Sequence, residues 1–225
     1  MQLLGHAINR SKKIRAGSIH DHEKTLVNPR HWGDHNVEYK YNRFGFRTPE
    51  FKDIVWEDSI VLLGCSCTVG IGLAEEFTVA GQLQNLTKAP VVNLGVSGSG
   101  IDHACWNSVI LHDHFPTPVA IVQLWTDTSR YTDLHNNKVD PYYPNRTDYY
   151  AKLNWEARST FYKKADKSLW EGKLKYYEAT FFHNTSKVLN CDFIPTEDKA
   201  LDGMHPGIES NRKMAELIAK RLFPK

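Results

Sequence analysis

Short apolar runs alternate with amphipathic stretches along most of the chain. The segments 59–63, 91–94 and 119–125 are rich in valine, isoleucine and leucine, which is typical of strands that are buried on both faces. A fourth strand of this type is predicted at 187–193. Buried strands separated by helices predict an α/β protein with a mostly parallel sheet, arranged as a three-layer α/β/α sandwich.

Apolar residues at helical spacing predict the layers that cover this sheet. The spacing follows the first strand over 73–83, recurs over 101–112 and marks a closing helix over 208–222. It is also present over 170–181. We therefore expect a strand, loop and helix unit at the start of the sheet and a helix at its end.

Two regions do not follow the alternation. Residues 1–57 are polar and aromatic, which predicts an arm or small hairpin packed on a core domain of residues 58–225. Residues 126–186 form a long aromatic insertion. We expect helices in it, because loops of that length without secondary structure are uncommon in compact domains. Its aromatic side chains are either core residues or the ligand platform of a lid.

The composition excludes several classes of function. The chain of 225 residues is 41% hydrophobic, has a formal net charge of +2 and contains no block of five or six basic residues. We therefore expect no nucleic-acid partner. No apolar run has the length of a membrane span, and the amino-terminal residues lack the order of a secretory signal. The expected location is cytoplasmic, with release by cell lysis as an alternative.

Cysteine and histidine patterns give little indication of a metal site. No C-x-x-C pair occurs among the four cysteines, which we expect to be reduced: Cys65, Cys67, Cys105 and Cys191. Histidines flank an aspartate at 20–22 and again at 112–114. The second stretch has a helical pattern, in which side chains two apart diverge by roughly 200° and cannot face one ion. We expect neither a metal nor another cofactor.

Two short strings carry the strongest chemical signal. GCSCTVG at 64–70 places Ser66 directly after the first strand, and DGMH at 202–205 places Asp202 three residues before His205. A serine hydroxyl becomes nucleophilic when a base removes its proton, and a carboxylate can orient a histidine for that task. Each string could instead cap a helix. In combination they predict a Ser, His, Asp hydrolase.

The order of the strings resembles that of the SGNH/GDSL hydrolase superfamily. GCSCTVG corresponds to its serine block, VVNLGVSGSG to its glycine block and DGMHPG to its carboxyl-terminal D-x-x-H block, within residues 58–222. The string YNRFGFR at 41–47 also resembles an N-x-x-G-F-R string that precedes the core in some of these proteins. The resemblance implies a flavodoxin-like fold and ester hydrolysis.

The resemblance also implies roles for individual residues. Ser66 would be the nucleophile, His205 the base and Asp202 the carboxylate that orients the base. The backbone amides of Ser66 and Gly98 would form part of the oxyanion hole. All of these residues follow predicted strands or precede the closing helix, and the carboxyl ends of parallel strands are where active sites of such sheets collect.

Two departures from the family pattern flank the serine. Cys65 stands where the family usually has an aspartate before the serine. The carboxylate lost in this way is not required for bond formation. The residue after the serine is Cys67, which raises the alternative of a cysteine nucleophile. We interpret Cys67 as a small buried side chain, because free cysteine usually behaves as a modest hydrophobe.

A third departure concerns the oxyanion hole. Where the family has an asparagine in a G-x-N-D block, this chain has WTDT at 125–128, which places Asp127 at that point. An ionised carboxylate would repel an oxyanion, and loss of one donor costs about 10²- to 10³-fold in turnover. Four alternatives stay open: Thr126, Thr128 or a side chain outside this string supplies the donor, Asp127 is protonated through burial, Arg130 neutralises it, or turnover is slow.

The resulting hypothesis is a serine esterase that cleaves a small ester, with an acetylated sugar as the favoured substrate class. The expected partner is therefore a small-molecule or glycan ester, and no membrane partner is expected. A second hypothesis is a carbohydrate-binding protein that keeps the fold without efficient catalysis. A third is an O-acyltransferase that uses the same triad.

Overall fold

The sheet lies at the centre of the structure, a computed structural model. It describes residues 37, 39–133, 140–142 and 149–224. The residues 20–22 that were considered for metal binding, and most of the predicted arm, lie outside these ranges. In the described part, the strands are β1 (Ile60–Gly64), β2 (Val91–Gly95), β3 (Ala120–Trp125), β4 (Tyr131–Asp133), β5 (Asp140–Tyr142), β6 (Lys175–Thr180) and β7 (Asp192–Phe193).

The strands form one large parallel sheet and one small antiparallel pair. The large sheet has five strands in the order β2-β1-β3-β6-β7, while β4 pairs with β5. The described helices are α1 (Ser66–Val69), α2 (Val79–Thr87), α3 (Ile101–His114), α4 (Tyr149–Trp170), α5 (His183–Leu189) and α6 (Ile208–Leu222). The predicted parallel sheet is confirmed.

Two apolar clusters cover the two faces of the sheet. Every residue of β1 and β3 is buried, and successive side chains point to opposite faces. Val61 and Leu63 pack with α3 and with Trp170 of α4, whereas Ile60 and Leu62 pack with α2 and α6. This is the three-layer arrangement that the alternation of strands and helices predicts, and it holds the carboxyl ends of β1, β2 and β3 at one edge.

The fourth strand was predicted in the wrong place. Residues 187–193 contain the end of α5 and the two-residue β7, while β6 occupies 175–180, where helical spacing was predicted. In β6, Tyr176 faces one apolar cluster and Tyr177 the other, which is the period of a strand. The pattern was obscured by Glu178, which is accommodated inside because Lys163 of α4 pairs with it at 2.9 Å.

Residues 39–57 contribute to the core from the amino-terminal side. They form turns and, with Asp58, two short 3₁₀ helices at Phe51–Asp53 and Trp56–Asp58. Phe46 and Trp56 belong to the apolar cluster that contains α3. In the described part of the chain, no helix has the length and apolar character needed to cross a membrane.

Candidate active site

The predicted nucleophile lies where β1 ends and the chain turns sharply. A Cβ atom on Gly64 would lie 2.2 Å from the Thr68 Oγ1 atom and 2.5 Å from the Leu124 carbonyl oxygen, so no larger residue fits. The close approach brings the turn against β3. Ser66 follows as the first residue of α1 and is largely buried.

Ser66, His205 and Asp202 form a continuous hydrogen-bonded chain. The Nε2 atom of His205 lies 2.8 Å from the Ser66 Oγ atom, and its Nδ1 atom contacts the Asp202 Oδ2 atom. A carboxylate can only accept, so Nδ1 carries the ring proton. This tautomer leaves the Nε2 lone pair to accept the hydroxyl proton of Ser66, which is the arrangement that activates a serine.

Asp202 is held as an anion. Its Oδ1 atom accepts the backbone amides of Met204 and His205, both at 3.0 Å. Burial raises the pKa of Asp202, but the hydrogen bonds from the His205 ring and from these amides outweigh it, so the pKa lies below its usual value. A charged carboxylate in this position is able to stabilise positive charge on a hydrogen-bonded imidazole ring.

The loop that carries Asp202 and His205 is anchored to α6. Asp198 accepts the backbone amides of Glu209 and Ser210 at 2.9 Å, and the Ser210 hydroxyl at 2.6 Å. Asn211 donates to the carbonyl oxygens of Pro206 and Gly207. These contacts tie the loop to the first turn of α6 on both sides of Asp202 and His205.

Two backbone amides are available for an oxyanion. Gly98 lies in the turn after β2 with φ at 78°, a left-handed conformation that favours glycine. This turn is tied to the nucleophile strand, because the Val96 amide and the Ser99 hydroxyl both donate to the Gly64 carbonyl oxygen. Within the described ranges, the amides of Ser66 and Gly98 have no acceptor.

The turn after β3 holds Asp127 by one of its two carboxylate oxygens. The Oδ1 atom accepts the Ser129 amide at 2.8 Å and the Ser129 hydroxyl at 2.6 Å. No described residue donates to its Oδ2 atom. The Thr126 hydroxyl accepts from the Arg130 Nη1 atom at 3.5 Å, and its carbonyl oxygen accepts from Thr185 at 3.1 Å. Asp127 therefore keeps one oxygen outside the turn.

The two cysteines beside Ser66 are buried free thiols. Cys65 is 2% exposed and Cys67 is 7% exposed. The neighbouring Cys65 thiol and burial together raise the pKa of Cys67 well above its usual value. A thiol attacks as the thiolate, and burial disfavours that form. The raised pKa disfavours attack by Cys67, whereas the Ser66 Oγ atom lies within hydrogen-bond distance of the His205 Nε2 atom.

The histidines of α3 are engaged in other contacts. His112 Nδ1 lies 2.8 Å from an Asp113 carboxylate oxygen, and His112 Nε2 lies 2.8 Å from the Lys173 Nζ atom. In the part of the chain that the structure describes, no group of three or more histidine, cysteine, aspartate or glutamate side chains could hold a metal ion.

Sequence reasoning gave no role to Arg47 and Tyr39, which contact the loop after the nucleophile. Arg47 is 3% exposed and donates to the carbonyl oxygens of Val69 at the end of α1 and of Gly70 and Leu73 in that loop. The available signal was Arg47 at the end of the aromatic string 41–47. An arginine that is buried among aromatic residues requires specific partners.

Comparison with solved structures identifies the fold. An acetyl xylan esterase from the rumen bacterium Butyrivibrio proteoclasticus superposes with a TM-score of 0.50 at 12% identity, covering 75% of this chain and 65% of that one. A carbohydrate esterase family 2 enzyme from Myceliophthora fergusii gives 0.47 at 15% identity, covering 73% and 65%. A G-D-S-L family lipolytic protein from Veillonella parvula gives 0.44 at 13%, covering 74% and 98%.

The mostly parallel sheet thus gives the chain the expected α/β fold, which is similar to the fold of this acetyl xylan esterase. No protein-family model and no curated protein matches the sequence.

Proposed function

We propose that this protein is a serine hydrolase that cleaves a small carboxylic ester through an acyl-enzyme on Ser66. The single observation that carries the proposal is the hydrogen-bonded chain from Asp202 through His205 to Ser66. It lies at the carboxyl edge of a parallel sheet, where active groups of such folds collect. The closed contact between Nε2 and Oγ is the geometry that a general base needs.

In the proposed first half-reaction, the Ser66 Oγ atom bonds to the ester carbonyl carbon while His205 Nε2 takes the hydroxyl proton. The carbonyl oxygen becomes an oxyanion that accepts from the amides of Ser66 and Gly98. As the bond to the alcohol oxygen breaks, the imidazolium of His205 returns the proton to that oxygen. Asp202 stabilises the imidazolium while it exists.

In the second half-reaction, water replaces the alcohol. His205 removes a proton from the water, the oxygen attacks the acyl carbon, and the tetrahedral species collapses with transfer of a proton back to the Ser66 oxygen. The products are a carboxylic acid and the free serine. Acetylated sugars are the first substrate class to test, and an acetyl xylan esterase shares the fold.

The test is turnover of p-nitrophenyl acetate and a panel of acetylated sugars by the wild type, Ser66→Ala and Cys67→Ala. Ser66→Ala should lose turnover to the background, because the acyl-accepting oxygen is gone. Cys67→Ala removes the adjacent thiol and should retain turnover. Retained turnover in Ser66→Ala together with loss in Cys67→Ala would assign the chemistry to the cysteine and overturn the proposal.

One observation favours a second candidate, a carbohydrate-binding protein with weak catalysis. Asp127 stands where the family pattern has an asparagine, and its Oδ2 atom is not used by the turn. A carboxylate near the oxyanion opposes charge development and would slow the first half-reaction. Sugar binding by calorimetry, with no turnover of any ester in the panel, would support this candidate instead.

A further inference from the structure

The loop at 70–73 lies between the helix that begins at Ser66 and the segment that carries Asp202 and His205. A buried arginine holds this loop. Arg47 donates from Nη1 to the carbonyl oxygens of Val69 and Gly70 at 3.1 and 2.9 Å, and from Nη2 to that of Leu73 at 2.9 Å. The contacts start at the last residue of α1, whose first residue is Ser66. The guanidinium therefore fixes where the nucleophile helix ends.

A tyrosine from the same amino-terminal segment supports both the arginine and the loop. The Arg47 guanidinium carbon lies 4.6 Å from the centre of the Tyr39 ring, within the range of a cation–π contact. The Tyr39 hydroxyl accepts the Gly72 amide at 2.6 Å. Val37, Tyr39 and Ile71 also belong to one small apolar cluster, with Leu201 packed against it.

The other side of the loop contacts the segment that carries Asp202. The Leu201 amide donates to the Gly72 carbonyl oxygen at 3.3 Å. A Cβ atom on Gly72 would lie 2.8 Å from the Ala200 Cβ atom and 3.2 Å from the Asp202 amide nitrogen, so the two backbones are in close contact. The loop 70–73 therefore packs directly against the backbone of residues 200–202.

We infer that Arg47 is a positioning residue that sets the separation between Ser66 and the Asp202–His205 pair. Together with Tyr39 it forms a brace, which clamps the loop 70–73 between the end of α1 and the catalytic loop. The inference rests on the proposed function for its effect on turnover, while its geometric content stands on the contacts above.

The chemistry of the guanidinium suits this role. Its planar fork can donate to several carbonyl oxygens at once, whereas a lysine offers one compact ammonium group. Misplacement of a catalytic group by about 1 Å can cost about 10²-fold in rate without contact to the substrate. The brace should therefore affect kcat and leave KM nearly unchanged.

The test compares Arg47 with Arg43, an arginine of the same segment whose side chain is 61% exposed. With p-nitrophenyl acetate, Arg47→Ala should lower kcat by about 10²-fold and Arg47→Lys by about tenfold, with KM within about twofold. Added guanidinium ion should restore part of kcat to Arg47→Ala. Arg43→Ala should match the wild type. Equal kcat in Arg47→Ala and Arg43→Ala would overturn the inference.

A spectroscopic signal keeps the two proposals distinguishable. The Nδ1 proton between His205 and Asp202 should give a low-field proton resonance in the wild type, which should move or broaden in Arg47→Lys but not in Arg43→Ala. If the wild type shows no turnover, the proposed function fails, and this resonance still reports on the brace. An unchanged resonance in a folded Arg47→Lys protein counts against the inference that Arg47 positions the Asp202–His205 pair.

A milder variant decides the matter if the Arg47 variants do not fold. Tyr39→Phe keeps the ring that covers the guanidinium and removes only the oxygen that accepts the Gly72 amide. It should lower kcat by about threefold to tenfold and the melting temperature by only a few degrees, because a single buried amide loses its acceptor. Wild-type kcat together with a wild-type low-field resonance in Tyr39→Phe would overturn the inference.

Discussion

Two turns at the same edge of the sheet differ in the chemical groups that they contain. We call the turn after β1, with the residues it meets, the first corner and the turn after β3 the second corner. At the end of β1, Ser66 meets His205 at 2.8 Å, and Asp202 completes the chain. At the end of β3, the turn holds Asp127 by its Oδ1 atom, where the family pattern has an amide donor. In the proposed reaction, the first corner makes and breaks bonds. The second corner affects how well developing negative charge is tolerated, so the proposal does not derive the rate from fold and triad alone.

The first corner is most directly disrupted at its base. His205→Ala should lower turnover by up to about 10⁶-fold, because neither the serine nor the water can then lose its proton. His112→Ala, a histidine of α3 away from the edge, should retain activity. Circular dichroism should show that both variants stay folded, and a collapsed spectrum for His205→Ala would assign a structural role to that residue.

The orienting carboxylate should have a smaller effect. Asp202→Asn should lower turnover by about 10⁴-fold, because an amide can donate to Nδ1 and thereby favour the wrong imidazole tautomer. Steady-state kinetics beside an exposed control, Asp113→Asn, would measure it. Activity within about tenfold of the wild type would show that His205 is oriented by other contacts.

The second corner can be tested by replacing Asp127 with asparagine, which restores the side-chain amide of the family pattern. In Asp127→Asn the Oδ1 atom can keep both hydrogen bonds from Ser129, while the free oxygen becomes an amide donor. The change removes a negative charge and adds a donor, so kcat should rise by about tenfold to 10²-fold. Ser129→Ala, which loses one contact of the turn, should show no such gain. A lower kcat in Asp127→Asn would mean that its charge assists turnover.

A buried carboxylate far from both corners provides the contrast with Asp202. Burial raises the pKa of Asp166 to about 6, although the hydrogen bond that the Tyr176 hydroxyl donates at 2.6 Å partly offsets the effect. A raised folded pKa stabilises the protein at low pH, and that stability is lost as the pH rises through about 6. Between about pH 4 and 7 the free energy of unfolding should fall by roughly 2 kcal/mol from this group.

Denaturant unfolding across this pH range would measure the Asp166 effect. Asp166→Asn cannot titrate, so its unfolding free energy should lose that slope, whereas Asp113→Asn should keep the wild-type profile. An identical slope in Asp166→Asn would contradict the assignment. Asp202 has the opposite shift, so its contribution is present near neutral pH and is lost as the pH falls below its unfolded pKa.

The residues that meet at the first corner lie in short strings beside recognisable elements, so their proximity could be predicted from the sequence. Ser66 follows a continuous apolar strand, and His205 precedes an amphipathic helix. The prediction from sequence failed at β6, because a glutamate in the sequence pattern indicates an exposed position. In the structure, Glu178 pairs with Lys163 of α4. The brace was also missed, since Arg47 contacts carbonyl oxygens more than twenty residues away along the chain. Contacts between distant segments leave no local periodicity.

The central claim is that Ser66 is an activated nucleophile, and active-site labelling tests it most directly. Folded protein is incubated with a fluorophosphonate probe and the modified residue is located by peptide mass mapping. The account predicts a single adduct on Ser66, retained in Cys67→Ala and lost in Ser66→Ala and His205→Ala. No adduct on Ser66 in folded wild-type protein, or an adduct on Cys67 instead, would contradict it.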